Sequence, residues 1–229
     1  MKYSLPVSRI QWQPCWRLVP SRFPPVGLFD RVADPEDLDI VYVIEGLTND
    51  RLRDETGDIN LVLPQERISG PGTTPIMAAF THLNPEGSRF TDGSYGVYYA
   101  AKTIDVAVAE TRFHRAIFFA ATNQPPIEID MRSYASDLDA ELHDIRNRQN
   151  ELPEIYDPDH YASAQNLGRV LRNDGSNGIV YDSVRFKGGV CVAVFKPNRL
   201  APVRQGPHYC YVWNGKEITT VYQKLSLNP

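Results

Sequence analysis

A chain of 229 residues, 42% hydrophobic and 23% charged, has room for one large domain or two small ones and buries a sizeable core. Its net charge of −4 argues against a nucleic-acid backbone as main ligand and leaves any attraction for phosphate to a local cluster of arginines. No apolar run approaches the ~18–20 residues of a membrane span, and the N-terminus, with Pro6 and Arg9, lacks the apolar stretch of a signal peptide; a cytoplasmic protein with no membrane partner is expected. Cys15, Cys191 and Cys210 lie far apart, which suits a reducing compartment, and His82, His114, His143, His160 and His208 form no metal-binding pair, so no metal is expected.

In chain order, Pro20, Pro24 and Pro25 make the stretch from Pro14 to Phe29 extended. Val41 to Leu47 reads as a strand or the start of a buried helix, and the polar stretch from Thr48 to Gly72 as a poor contributor to the core. The turn Gly93-Ser94-Tyr95-Gly96 leads into a strand over Val97–Ala101. Thr103 or Asp105 then caps a helix from Val106 to Phe113, with Val106, Ala109 and Phe113 on one face. Ala116–Thr122 and Ile127–Asp130 read as short strands, Asp137–Asn150 as an amphipathic helix, and Ala162–Asn173 as a second helix ending at Asp174-Gly175. Two further strands follow, Gly178–Asp182 and Gly189–Phe195, and Tyr209–Trp213 reads as a packed edge strand. Strands and helices mix without regular alternation, which predicts a single compact α+β domain around a central mixed sheet.

Two segments carry candidate chemistry. In the first, Arg89 stands in a glycine-flanked loop, Tyr99 ten residues on in a strand, and Glu110 eleven further in a helix. A loop–strand–helix unit of that length folds back on itself and brings the three into one cleft. In the second, Ser183 ends the run Gly178–Asp182, with Arg185 two residues on; no GxSxG elbow surrounds it. Taken singly, the ordinary account of each is favoured: a loop arginine, a packed tyrosine, a solvated glutamate, a strand-end hydroxyl bonded to local backbone.

Together the two segments resemble the RES domain family, named for an arginine, a glutamate and a serine. Arg89 in GSRFTDGSYG, Tyr99 and Glu110 in YYAAKTIDVAVAET, and Ser183 in DGSNGIVYDSVRFKGG match its pattern, and Trp16-Arg17-Leu18 resembles its opening strand. On that likeness residues 1–229 form one RES domain, with a core over about 15–200, an insertion over about 34–83 and an extension over 201–229. The insertion leaves open whether Arg22 or Arg31 joins the site.

The resemblance implies an ADP-ribosyltransferase-like fold and a toxin that consumes NAD⁺, neutralised by an Xre-type antitoxin. NAD⁺ is then the substrate, with no direct nucleic-acid partner; a homo-oligomer is left open. Cleavage of the nicotinamide–ribose bond by water or phosphate is the first reading. The alternatives are ADP-ribose transfer to a protein and a non-catalytic NAD⁺ or ADP-ribose module. Glu110 is suited to stabilising an oxocarbenium-like ribose. Tyr99 offers a flat face to the nicotinamide ring, and Arg89 a fork for the pyrophosphate. Ser183 and Arg185 add polar contacts to the bound dinucleotide. Should Glu110 not be the carboxylate, Glu128 and Glu86 are the next candidates.

Overall fold

The computed structural model describes residues 4–21 and 57–225. Arg22, Arg31 and the Val41–Leu47 segment lie outside the described residues. The long strands β1 (Val7–Pro20) and β3 (Ile127–Asp144) pair antiparallel from Val7 opposite His143 to Pro20 opposite Met131. Pro14 has no N–H to give the ladder, and the register shifts there, between Trp12 and Cys15.

β3 takes up residues 137–144 of the helix expected over Asp137–Asn150, whose remainder is turn, and absorbs the short strand expected over Ile127–Asp130. The pattern it obeys has a period of two: Leu138, Ala140 and Leu142 are buried while Asp139 and Glu141 face water. The charges that suggested a helix surface lie along the strand's outer face. There Asp139 meets Arg9 at 2.8 Å and Asp137 meets Arg204 at 2.7 Å.

Helix α1 (Thr74–Thr81) precedes β2 (Tyr98–Ala101), and α2 (Ile104–Ala121) follows it. α2 runs through Ala116–Ala121, where a strand was expected. No glycine or proline interrupts it, and it stops only where Asn123 takes a left-handed φ of 48° before Pro125. Thr103 holds the N-cap position, but its side chain makes no capping bond. The helix turns Val106, Ala107 and Phe119 to the core; Ala109 and Phe113 are only partly buried.

Helix α3 (Ala162–Asn173) leads into β4 (Gly178–Asp182), followed by β5 (Val190–Val194), β6 (Arg204–Trp213) and β7 (Ile218–Lys224). The seven strands of the described residues form one mixed sheet in the order β1-β2-β5-β4-β3-β6-β7. Pairing of β1 with β3 closes the first five into a ring. β4 runs parallel to β3 over His143–Ile179 and Asp144–Val180; the remaining pairs are antiparallel. Tyr209–Trp213 is therefore interior to the sheet, between β3 and β7, and β7 forms the edge.

Alternation along β2, β5 and β4 sends residues to two cores. Tyr98, Ala100, Val180, Val192 and Val194 pack with Ile76, Met77 and Phe80 of α1, and with Ile59 and Val62 from the stretch expected to contribute little. Ala101, Ile179, Tyr181, Cys191 and Ala193 pack with α2, α3 and Phe90 on the other side. The candidate residues gather on this second side. No helix among the described residues is long and apolar enough to cross a membrane.

Candidate active site

Glu110 projects from the middle of α2 toward the end of β4. Its Oε1 accepts a hydrogen bond of 2.6 Å from Ser183 Oγ. The Ser183 hydroxyl in turn accepts from the backbone N–H groups of Arg185, at 3.1 Å, and Phe186, at 2.9 Å. Both its acceptor positions are thus taken, and its one proton goes to Glu110. The local turn after β4 builds this clamp, since Ser183 N–H also bonds Gly189 O at 2.9 Å. The expected strand-end hydroxyl and the expected site residue are one and the same group. Cys191 Sγ on β5 lies 3.8 Å from the same oxygen; burial, then the charge of Glu110, raises that thiol well above its ordinary pKa.

Glu110 Oε2 faces His114 Nε2 at 4.0 Å, one helical turn on. Partial burial, then the positive charges of Arg185, Arg89 and Arg115, lower the His114 pKa to about 4. The ring is therefore neutral at pH 7, and the two groups form no ion pair there.

Arg89 is buried, at 8% exposure. Its Nη1 donates to Ile155 O at 3.0 Å and Asp157 O at 2.9 Å, and its guanidinium lies over the Tyr161 ring, 4.6 Å from the centroid. The expected open-cleft arginine is instead packed, with one nitrogen spent on main-chain carbonyls.

Tyr99 accepts from Phe90 N–H at 2.9 Å and shares a 2.8 Å hydrogen bond with Ser88 Oγ, so its hydroxyl holds the loop that carries Arg89. Burial raises its pKa to about 12, leaving a neutral phenol. Tyr181 packs edge-on against Phe90, ring centroids 5.0 Å apart, and burial, then neighbouring Cys191 and Glu110, raises its pKa well above the ordinary value.

Arg185 completes the group. Its guanidinium stacks 3.2 Å from the Phe113 ring centroid, donates to Pro158 O, and stands 3.8 Å from Asp159. The segment from Ile155 to Tyr161 therefore touches both arginines. The spare carboxylates stand elsewhere in the chain: Glu128 on β3 opposite Val212, and Glu86 in the turn after Asn84. Among the described residues no group of histidine, cysteine, aspartate and glutamate is arranged to hold a metal ion.

Sequence reasoning missed His114, Phe113, Tyr161 and Cys191. His114 alone left a signal, four residues after Glu110 on the same helix and hence on the same face. The other three join through tertiary packing.

Fold and site define an α+β domain whose candidate site holds Glu110 clamped by the Ser183 hydroxyl. Residues 64–214 match the RES domain model, and the chain belongs to that family. The uncharacterized protein y4oC of Sinorhizobium fredii is 30% identical over 215 residues, which span 90% of this chain and 86% of that protein. Among solved structures, a chain of the M. tuberculosis MbcT–MbcA toxin–antitoxin complex aligns with a TM-score of 0.47 at 12% identity, covering 90% of this chain and 87% of that one.

Proposed function

We propose that this protein is an NAD⁺-consuming toxin that cleaves the nicotinamide–ribose bond, held in check by an Xre-type antitoxin. The observation that carries the reading is the Glu110–Ser183 pair at 2.6 Å. Loss of nicotinamide from NAD⁺ expels a neutral leaving group and builds positive charge on the ribose. A carboxylate fixed beforehand by a hydroxyl stabilises that charge without reorganising during the reaction. Ser183 serves here as the group that orients Glu110 and not as a nucleophile, because its only proton is committed to the carboxylate. Arg89 and Arg185 supply positive potential for the phosphates of the dinucleotide, and the Tyr99 ring a surface for the nicotinamide.

The test is nicotinamide release from NAD⁺ by purified protein, with the ribosyl product identified by mass spectrometry. Glu110→Gln keeps the size of the side chain and removes its charge. It is expected to cut turnover about 10²–10³-fold while calorimetry finds NAD⁺ affinity nearly unchanged. A folded Glu110→Gln protein with wild-type turnover overturns the assignment of the carboxylate. In cells, expression is expected to arrest growth, and a co-expressed Xre-type partner to relieve the arrest.

A further inference from the structure

We propose that Glu110 and His114 together seat the water molecule that attacks the ribose C1′, with His114 Nε2 receiving its proton. The proposal rests on the NAD⁺-cleaving reading above and adds the acceptor, which that reading leaves open between water, phosphate and a protein side chain.

The geometry begins with Glu110. Its Oε1 is occupied by Ser183, so only Oε2 is left for a mobile partner. Nε2 of His114 lies 4.0 Å from Oε2, beyond a direct hydrogen bond. A water that donates one proton to each of two acceptors at about 2.8 Å, with its own bond angle near tetrahedral, holds them about 4.4–4.6 Å apart. The observed gap of 4.0 Å is a few tenths of an ångström shorter, a difference that a small rotation of the exposed His114 ring takes up. Both groups stand on one face of α2, where i and i+4 side chains are neighbours, and α2 fixes their separation. More than half of the His114 side chain, 55%, is open to solvent, so water reaches this position from outside.

His114 is in the state the bridge requires. Arg185 and Arg89 face it from other elements and Arg115 from its own helix; Glu110 is the acidic group beside it. Burial, then these three positive charges, disfavours an imidazolium, so with the proton on Nδ1 the Nε2 lone pair is free to accept.

The step balances. The water oxygen forms a bond to C1′ as the C1′–N1 bond breaks, and the bonding pair leaves with nicotinamide, which departs neutral. The incoming oxygen sheds its proton to His114 Nε2, which returns it to solvent. A protonated sugar hydroxyl is a far stronger acid than an imidazolium, so even a weakly basic histidine accepts that proton readily.

The test uses the whole protein, NAD⁺, and parallel reactions containing methanol or inorganic phosphate, with nicotinamide and each ribosyl product quantified. Wild type is expected to yield ADP-ribose as its main product. His114→Ala is expected to lower kcat about 10²-fold with little change in KM, to shift the ratio of ADP-ribose to its methyl glycoside toward methanol, and to regain turnover with added imidazole. His114→Gln, which keeps polarity but cannot take up a proton, is expected to remain slow. Wild-type kcat in His114→Ala overturns the proposal and leaves NAD⁺ cleavage standing. A fall in kcat with no imidazole rescue and an unchanged product ratio also overturns it, since a structural role accounts for that pattern. Wild type that turns over only with phosphate, giving a ribosyl phosphate, overturns the choice of water. Wild type that releases no nicotinamide under any condition overturns the functional reading itself, and this inference with it.

Discussion

Arg89 braces two loops. Its Nη1 joins the carbonyls of Ile155 and Asp157, while its backbone neighbours Ser88 and Phe90 hold the Tyr99 hydroxyl. Sequence alone suggests an arginine whose removal costs affinity and leaves the fold intact. Its burial changes that expectation. Arg89→Ala leaves two carbonyls short of a donor and a gap over the Tyr161 ring, so a stability loss of about 2–4 kcal/mol is expected in urea unfolding. Arg89→Lys is expected to recover only part of it, because one ammonium cannot reproduce the planar stack and the paired carbonyl bonds. An Arg89→Ala protein as stable as wild type would show that Arg89 acts on the ligand alone.

The elements differ in how much of them was legible beforehand. α3 has the same bounds as the sequence reading, because Ala164, Leu167 and Leu171 repeat at helical spacing and Asp174-Gly175 stops it. β4 and β5 were legible as apolar runs buried on both faces. β3 was not, because its alternate charges are matched by Arg9 and Arg204, which come from strands far away in the chain. The end of α2 was not, because its phenylalanines and alanines satisfy strand and helix patterns alike. The four family residues could be matched one by one, yet the contact of Glu110 with Ser183 spans 73 positions, and no local pattern encodes it. The packing of α3 on the arginine loop was equally hidden. Gly168 faces the loop so closely that a Cβ there would stand 2.1 Å from Phe90 O. Backbone cannot yield as a side-chain tip does. Gly168→Ala is therefore expected to displace the Ser88–Thr91 loop, to cost about 1–3 kcal/mol despite the better helix propensity of alanine, and to reduce turnover through Arg89. Unfolding midpoints and turnover for this one variant check both effects; a more stable Gly168→Ala protein would refute the close packing.

At the scale of the whole molecule, the five-strand ring carries the site on one of its faces, and β6 and β7 extend the sheet beyond the ring while bracing α2 from outside. Tyr211 shares a 2.7 Å hydrogen bond with Thr111, one residue from Glu110. Arg112 donates to Ile218 O at 2.6 Å, and Trp213 Nε1 to Gln124 O at 2.8 Å, just past the end of the helix. Tyr211 and Trp213 are almost wholly buried, at 0% and 1% exposure, so β6 is part of the core that holds α2 in place. Two consequences separate this role from that of an appendage. Trp213→Ala removes a large buried side chain packed against Phe119 and is expected to cost about 3–5 kcal/mol with an unchanged denaturant slope. Truncation before Arg204 deletes both strands, exposing the flank of β3 and the inner face of α2, and is expected to abolish cooperative unfolding. Circular dichroism and urea titration of the two proteins decide the matter: a truncated chain that still unfolds cooperatively and releases nicotinamide would show that the ring with α1, α2 and α3 needs neither β6 nor β7, and that α2 needs no brace to present Glu110.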